Sequence, residues 1–237
     1  MQPALAGAEY AAFISHRRSD VRTRAAFQAL ALQLAPPGAL IFDFGAGPGI
    51  DSRFFARQGY RVLAYEIDPR MQSYFREYCA DELASGRIRL DVSEYHQFVD
   101  QTGAYGAPEV DLVVANFAPL NLVDDLTGLF RRLHALSRTN GRVLASVLSP
   151  YFVGDWSYGW WWRGLPELLR VGRMAVAGSQ ATITRRTPQA FAAAASPYFR
   201  ISAIWPGRRS RADRPVRASH PSLAFNRYSF LLLEKCP

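Results

Sequence analysis

Leu40-Ile41-Phe42-Asp43-Phe44-Gly45-Ala46-Gly47-Pro48-Gly49 is the stretch that decides the fold. Its first half is apolar except for Asp43, which is how a parallel strand buried on both faces reads. Its second half alternates glycine with small or cyclic residues. Glycines at a strand end let the backbone turn sharply and let a ligand approach the main chain closely. A helix is expected next, over residues 51–58, with Gly59 past its end. Strand, glycine turn and helix together open a βαβ unit.

Reading outward, the pattern repeats. Residues 60–66 form a second strand, and Pro69 starts a helix expected to reach residue 84, stopped by Gly86. Strands follow at 87–92, 110–115 and 142–148, with helices at 94–99 and 124–137 between them and an Asn140-Gly141 turn before the last. Five strands alternating with helices predict a doubly wound, mostly parallel α/β sheet. Upstream, an Arg-rich helical stretch (residues 8–24) leads into a better helix over 20–34, closed by Pro36-Pro37-Gly38. After Ser149 the pattern breaks into a Trp-, Tyr-, Gly- and Arg-rich insert with a short helix expected at 166–170. A helix over 189–195 and strands at 198–205 and 225–234 complete the chain. The arginine-rich stretch between those strands reads as an exposed loop.

Composition narrows the class. The chain has 237 residues, 49% of them hydrophobic and 20% charged, so it can bury a core and is not a disordered or disulfide-stapled chain. The balance of 28 cations over 20 anions gives +8, and Lys235 is the only lysine. Cys79 and Cys236 have no CxxC partner or histidine at ligand spacing, so neither a metal nor a required disulfide is expected. Without a signal-peptide pattern or an apolar run of about 18 residues, a cytoplasmic protein is expected.

Seventeen residues beyond Gly49, Glu66 ends the second strand, which in a doubly wound sheet puts a carboxylate beside the glycine turn. A carboxylate there can accept two hydrogen bonds from a ribose diol. The glycine spacing is GxGxG, with Ile50 where a dinucleotide-binding GxGxxG needs its third glycine. That disfavours a nicotinamide enzyme.

Residues 40–148 resemble the class I S-adenosylmethionine-dependent methyltransferases. The resemblance is carried by Asp43-Phe44-Gly45-Ala46-Gly47-Pro48-Gly49, Tyr65-Glu66-Ile67-Asp68-Pro69-Arg70-Met71, Asp91-Val92, Asn116-Phe117 and Asn140-Gly141-Arg142, in that order. It implies a Rossmann-like sheet of seven strands, the last antiparallel, and S-adenosyl-L-methionine as cofactor. It also implies cofactor contacts from Asp43, Gly45, Ala46, Gly47, Gly49, Glu66, Ile67, Met71, Asp91, Val92, Asn116 and Phe117. Asp68 is read as a helix cap. One domain is expected, divided as a helical N-terminal lid (1–38), a cofactor-binding core (39–149), an acceptor-site cap (150–187) and a C-terminal helix with the last two strands (188–237).

No general base is named by a motif; Tyr10 and His16 in the N-terminal segment are the candidates. In-line methyl displacement asks mainly for positioning, so the lack of a triad does not count against an enzyme. The second strong local feature is Trp156, Trp160, Trp161 and Trp162, four of the five tryptophans. With Arg163 they are the expected acceptor contacts; a membrane-interface patch and the core of a cap are the competing readings. The acceptor is expected to be a small, hydrophobic molecule compatible with an anionic group, methylated on oxygen in preference to nitrogen. Asn116-Phe117-Ala118-Pro119 lacks the motif of nucleic-acid amino-methyltransferases, so nucleic acid is not the expected partner. A cofactor-binding protein without transfer activity and a peripheral membrane protein remain the alternatives, and the oligomeric state stays open.

Overall fold

A computed structural model describes residues 18–100, 109–177, 182–207 and 214–237. In chain order the elements are α1 (Arg18–Leu34), β1 (Leu40–Phe44), α2 (Ile50–Arg57), β2 (Arg61–Tyr65), α3 (Pro69–Tyr78), α4 (Ala80–Ala84), β3 (Ile88–Asp91), α5 (Tyr95–Asp100) and β4 (Val110–Ala115). They continue with α6 (Leu126–Leu136), β5 (Ser137–Leu148), α7 (Gly159–Val171), β6 (Arg173–Ala177), β7 (Thr182–Arg186), α8 (Pro188–Ala195), β8 (Phe199–Pro206) and β9 (Tyr228–Lys235).

Seven strands form one sheet in the order β3-β2-β1-β4-β5-β9-β8. Pairing is parallel from β3 to β5, and β9 enters antiparallel between β5 and β8. The order reverses between β1 and β4, and the cleft outside the carboxyl ends of strands at such a switch is where ligands bind. Alternation along each strand feeds two apolar layers. Phe42, Phe44, Val113 and Ala115 face one, under α6 and α8; Ile41, Leu112 and Val114 face the other, under α1 and α2. Helix α1 is fastened by Phe27, fully buried against Phe230 of β9 with ring centroids 5.4 Å apart. No helix among the described residues is long and apolar enough to cross a membrane.

Four local expectations are corrected. The helix expected over 69–84 breaks at Cys79 into α3 and α4, because Cys79 is fully buried and the break turns Glu82 inward. Glu82 Oε1 there accepts hydrogen bonds from Arg57 Nε at 2.9 Å and Arg53 Nε at 3.4 Å. Strand β5 begins at Ser137, not Arg142: Val110 pairs Ser137 while Leu112 pairs Arg142, so the Asn140-Gly141 turn is an excursion within the strand. The short helix at 166–170 is a full α7 with Pro166 inside it. Burial of Trp161 and Leu168, seven residues apart on one face, outweighs the local signal of a proline start. In the insert, where only the short helix was expected, β6 and β7 pair antiparallel.

Gly49 also has a different job from the one expected. It holds φ +85°, and a Cβ there would lie 2.7 Å from Cys79 Sγ and 2.8 Å from the Phe75 ring. Both groups are fully buried, so neither has room to move. Gly49→Ala is expected to destabilise the protein by roughly 3 kcal/mol through combined backbone strain and overpacking. Urea unfolding of the variant checks this; an unchanged midpoint would contradict it.

Candidate cofactor site

The end of β1 turns over the end of β2. The Gly45 and Ala46 amides both donate to the Tyr65 carbonyl, at 2.9 and 3.0 Å. The Gly47 amide donates to Glu66 Oε2 at 2.7 Å, and the Asp68 amide to Glu66 Oε1 at 2.8 Å. Each Glu66 oxygen therefore keeps a lone pair for a ligand, while two backbone donors fix the carboxylate's orientation. Burial raises the Glu66 pKa, and its backbone hydrogen bonds oppose that rise. Gly47 sits at φ +56° with nothing within 4 Å of where a Cβ would be. Its bare face opens onto a cavity of about 700 Å³, within the usual range for small-molecule and cofactor sites.

Asp43, Gly45, Ala46, Gly47, Glu66, Ile67, Met71, Asn116 and Phe117 all line that cavity. Asp68 lines it too and caps α3, accepting from the Arg70 amide at 2.9 Å. Gly49, Asp91 and Val92 are not in its wall. Gly49 is turned to Phe75 and Cys79, and Asp91 Oδ1 accepts from the Ser93 amide at 2.9 Å. Tyr10 and His16 lie outside the described residues.

The tryptophans and Arg163 do not reach the cavity. Trp161, 5% exposed, forms a small core of its own with Leu168 and Met174, and its Nε1 donates to the Pro150 carbonyl at 2.9 Å. Trp160 stacks under the Arg185 guanidinium, and Trp156 and Trp162 are exposed. Consecutive residues on a helix point in different directions, so a WWW run cannot present one wall. Nor are Arg185 and Arg186 free to recognise an anion. Arg185 is buried and paired with Asp155 at 2.6 Å, and Arg186 donates to the Val123 carbonyl at 2.8 Å. They tie the hairpin to the sheet.

The sequence reading missed a polar cluster at the other end of the cavity. Asp51, in the first turn of α2, is 6% exposed and accepts from Arg24 Nη1, from Gln28 Nε2 at 2.7 Å and from Asn116 Nδ2 at 3.1 Å. Arg24 and Gln28 lie one turn apart on α1, so one face of that helix reaches across to the glycine turn. Asp43, 2% exposed, accepts from Ser52 Oγ at 2.6 Å. Beside it, Phe117 and Ala118 both hold positive φ, 59° and 69°, at the end of β4. Two such non-glycine residues in succession are backbone strain of the kind that clusters at binding sites.

These features match known proteins. A family model described as a methyltransferase domain matches residues 13–178, more than half the chain. The chain belongs to the class I S-adenosylmethionine-dependent methyltransferases. It is an enzyme of that family, and S-adenosylmethionine is its cofactor. Among solved structures it is similar to the 1,6-didemethyltoxoflavin-N1-methyltransferase of Burkholderia thailandensis, crystallised with 1,6-didemethyltoxoflavin and S-adenosylhomocysteine. That similarity has a TM-score of 0.59 and 22% identity, over 100% of this chain and 93% of that one. It is also similar to the CcbJ methyltransferase of Streptomyces caelestis, with a TM-score of 0.63 and 15% identity over 94% and 92% of the two chains. A third is the geranyl diphosphate C-methyltransferase of Streptomyces coelicolor, with a TM-score of 0.58 and 16% identity over 90% and 75%. No curated protein sequence matches the chain. The likenesses to solved structures establish the methyltransferase fold.

Burial, with the Asp51 charge adding to it, pushes the Asp43 pKa up to about 7. The unfolded chain titrates Asp near 3.9, so the folded protein binds this proton more tightly. The stability that proton confers is complete below about pH 4 and is lost as pH rises toward 7. Asp43→Asn is therefore expected to raise the melting temperature of the ligand-free methyltransferase at pH 8, where the native carboxylate is charged. The gain is of order 4 kcal/mol and should vanish near pH 4. Thermal melts at the two pH values check this; an equal effect at both would contradict it.

Proposed function

We propose that the protein methylates a small-molecule acceptor, with the cofactor lying across the carboxyl ends of β2, β1 and β4. One observation carries this reading: Glu66, held by two backbone amides, faces the same cavity as the bare Gly47. The donor set fits the cofactor along its length. Glu66 would take the ribose diol. Ile67 and Met71, with Leu122 across the cavity, offer an apolar slot to the adenine. At the far end Arg24 suits the carboxylate of the methionyl part, and Asp43 and Asp51 suit its ammonium group.

S-adenosylmethionine supplies an electrophilic methyl group on a sulfonium. The protein's part is to hold that end, to keep water out and to align the acceptor. Helix α1 contributes by closing the polar end through the Arg24–Asp51 pair, and Phe117 covers the same end with its ring. Transfer to oxygen is the first reading of the acceptor atom. Transfer to nitrogen is the second, favoured by the toxoflavin N1-methyltransferase that spans this whole chain.

Glu66→Ala is expected to weaken S-adenosylhomocysteine binding by roughly 1.5–3 kcal/mol, the worth of hydrogen bonds to a charged group. That is about 10- to 150-fold in Kd. Isothermal titration of wild type and variant measures it, and equal affinities would remove Glu66 from the ribose role.

A further inference from the structure

Helix α7 repeats a triplet at an interval of seven residues, Trp161-Trp162-Arg163 and then Leu168-Leu169-Arg170. Seven residues are close to two full turns, so each pair lies along one line of the helix. Trp161 and Leu168 form the buried line, packed with Met174 of β6. Trp162 and Leu169 form the next line, 55% and 75% exposed. Arg163 and Arg170 form the third, also exposed. Packing inside the cap accounts for the first line only. The apolar line continues into Trp156, itself exposed, whose carbonyl accepts from Trp162 Nε1 at 2.7 Å. The charges on this part of the surface are one-sided. From residue 159 to residue 177 there are three arginines, Arg163, Arg170 and Arg173, against one acid, Glu167. All four are exposed, and none is in an ion pair among the described residues. Asp155 is buried and spent on Arg185, so it does not offset them.

We infer that this face of α7 docks the protein on an anionic membrane surface, with Trp156, Trp162 and Leu169 entering the interfacial layer and Arg163, Arg170 and Arg173 meeting lipid phosphates. A helix that lies in the plane of a bilayer interface needs an apolar line bordered by cations, which is the order found here. Tryptophan is the side chain most at home at that depth. The Trp162 N–H is already bonded, so its ring can leave water without stranding a donor. Guanidinium groups pair with phosphate oxygens through two hydrogen bonds at once. Other occupants fit the face less well. A second copy of this chain would bring the same arginines against each other. A nucleic acid would satisfy the arginines through its phosphates but would leave the Leu169 side chain uncovered. The docking face does not compete with the large cavity, because no residue of α7 lines it. The two are nevertheless joined through the β6-β7 hairpin, where Arg186 donates to the carbonyl of Val123 in the cavity wall. Docking through α7 therefore brings the cavity to the membrane without covering it.

The test is co-sedimentation of the full chain with sucrose-loaded vesicles of phosphatidylcholine, alone or in equal mixture with phosphatidylglycerol. It is run for wild type, for Leu169→Glu and for the double variant Arg163→Gln, Arg170→Gln. The altered side chains are exposed, so both variants are expected to unfold at the wild-type temperature. Wild type is expected to bind the mixed vesicles at least tenfold more tightly than phosphatidylcholine alone, and less tightly as salt is added. Binding is expected to fall at least tenfold in Leu169→Glu. In the double variant it falls about 30-fold, at roughly a factor of five per arginine. If one variant fails to fold, the other carries the comparison. Wild type that does not bind the mixed vesicles, or binds both compositions equally, overturns the proposal, as does binding that neither variant weakens. Light scattering without vesicles covers the second copy: self-association of wild type that Leu169→Glu abolishes makes the face an interface between chains and overturns membrane docking. Binding of single-stranded RNA as tight as that of the mixed vesicles, and lost in the double variant, overturns it in favour of nucleic acid.

Discussion

The Glu66 carboxylate joins the two strands on which the site is built. Its oxygens accept from the amides of Gly47, in the turn after β1, and Asp68, at the start of α3. That bridge adds to the Gly45 and Ala46 amides, which donate to the Tyr65 carbonyl, in setting the glycine turn over the end of β2. The bridge is also costly. A carboxylate this deeply buried loses hydration, and two amides offset only part of the loss. A ligand bearing further donors would complete its shell. The carboxylate is thus at once a structural clamp and a half-satisfied binding group.

The same tension runs along the cavity. The Asp51 charge adds to the cost of ionising buried Asp43, with Arg24 as the compensating cation. Phe117 and Ala118 hold left-handed backbone at the end of β4. None of this favours the empty fold. A cationic group at the aspartates would relieve the repulsion, which is why stability of the ligand-free protein and affinity for the cofactor are expected to pull in opposite directions at Asp43.

The glycine-turn half of the cavity was legible in the sequence because it is local. The glycine turn and Glu66 fall on adjacent parallel strands, and strand ends in a doubly wound sheet meet whatever the loops do. The Arg24–Asp51 contact was not legible, since it joins residues 27 apart across two helices and has no motif. Its only trace was Arg24 and Gln28 one helical turn apart. Gly49 looked like a third ligand glycine and is a packing glycine under Cys79 and Phe75. The tryptophans misled for a different reason. Their density suggested a wall, but a helix scatters neighbours around its axis, so Trp161 goes into the cap's core and Trp162 to its surface. Arg185 and Arg186 likewise spend their donors inside the protein, on backbone carbonyls and Asp155.

The central claim is that the cavity between Glu66 and Arg24 is shaped for an adenosyl sulfonium cofactor and not for a dinucleotide. Parallel calorimetric titration of the purified protein with S-adenosylhomocysteine and NAD tests it most directly. Micromolar binding of S-adenosylhomocysteine with no heat from NAD is the predicted result. Binding of NAD alone, or of both with equal affinity, would contradict it.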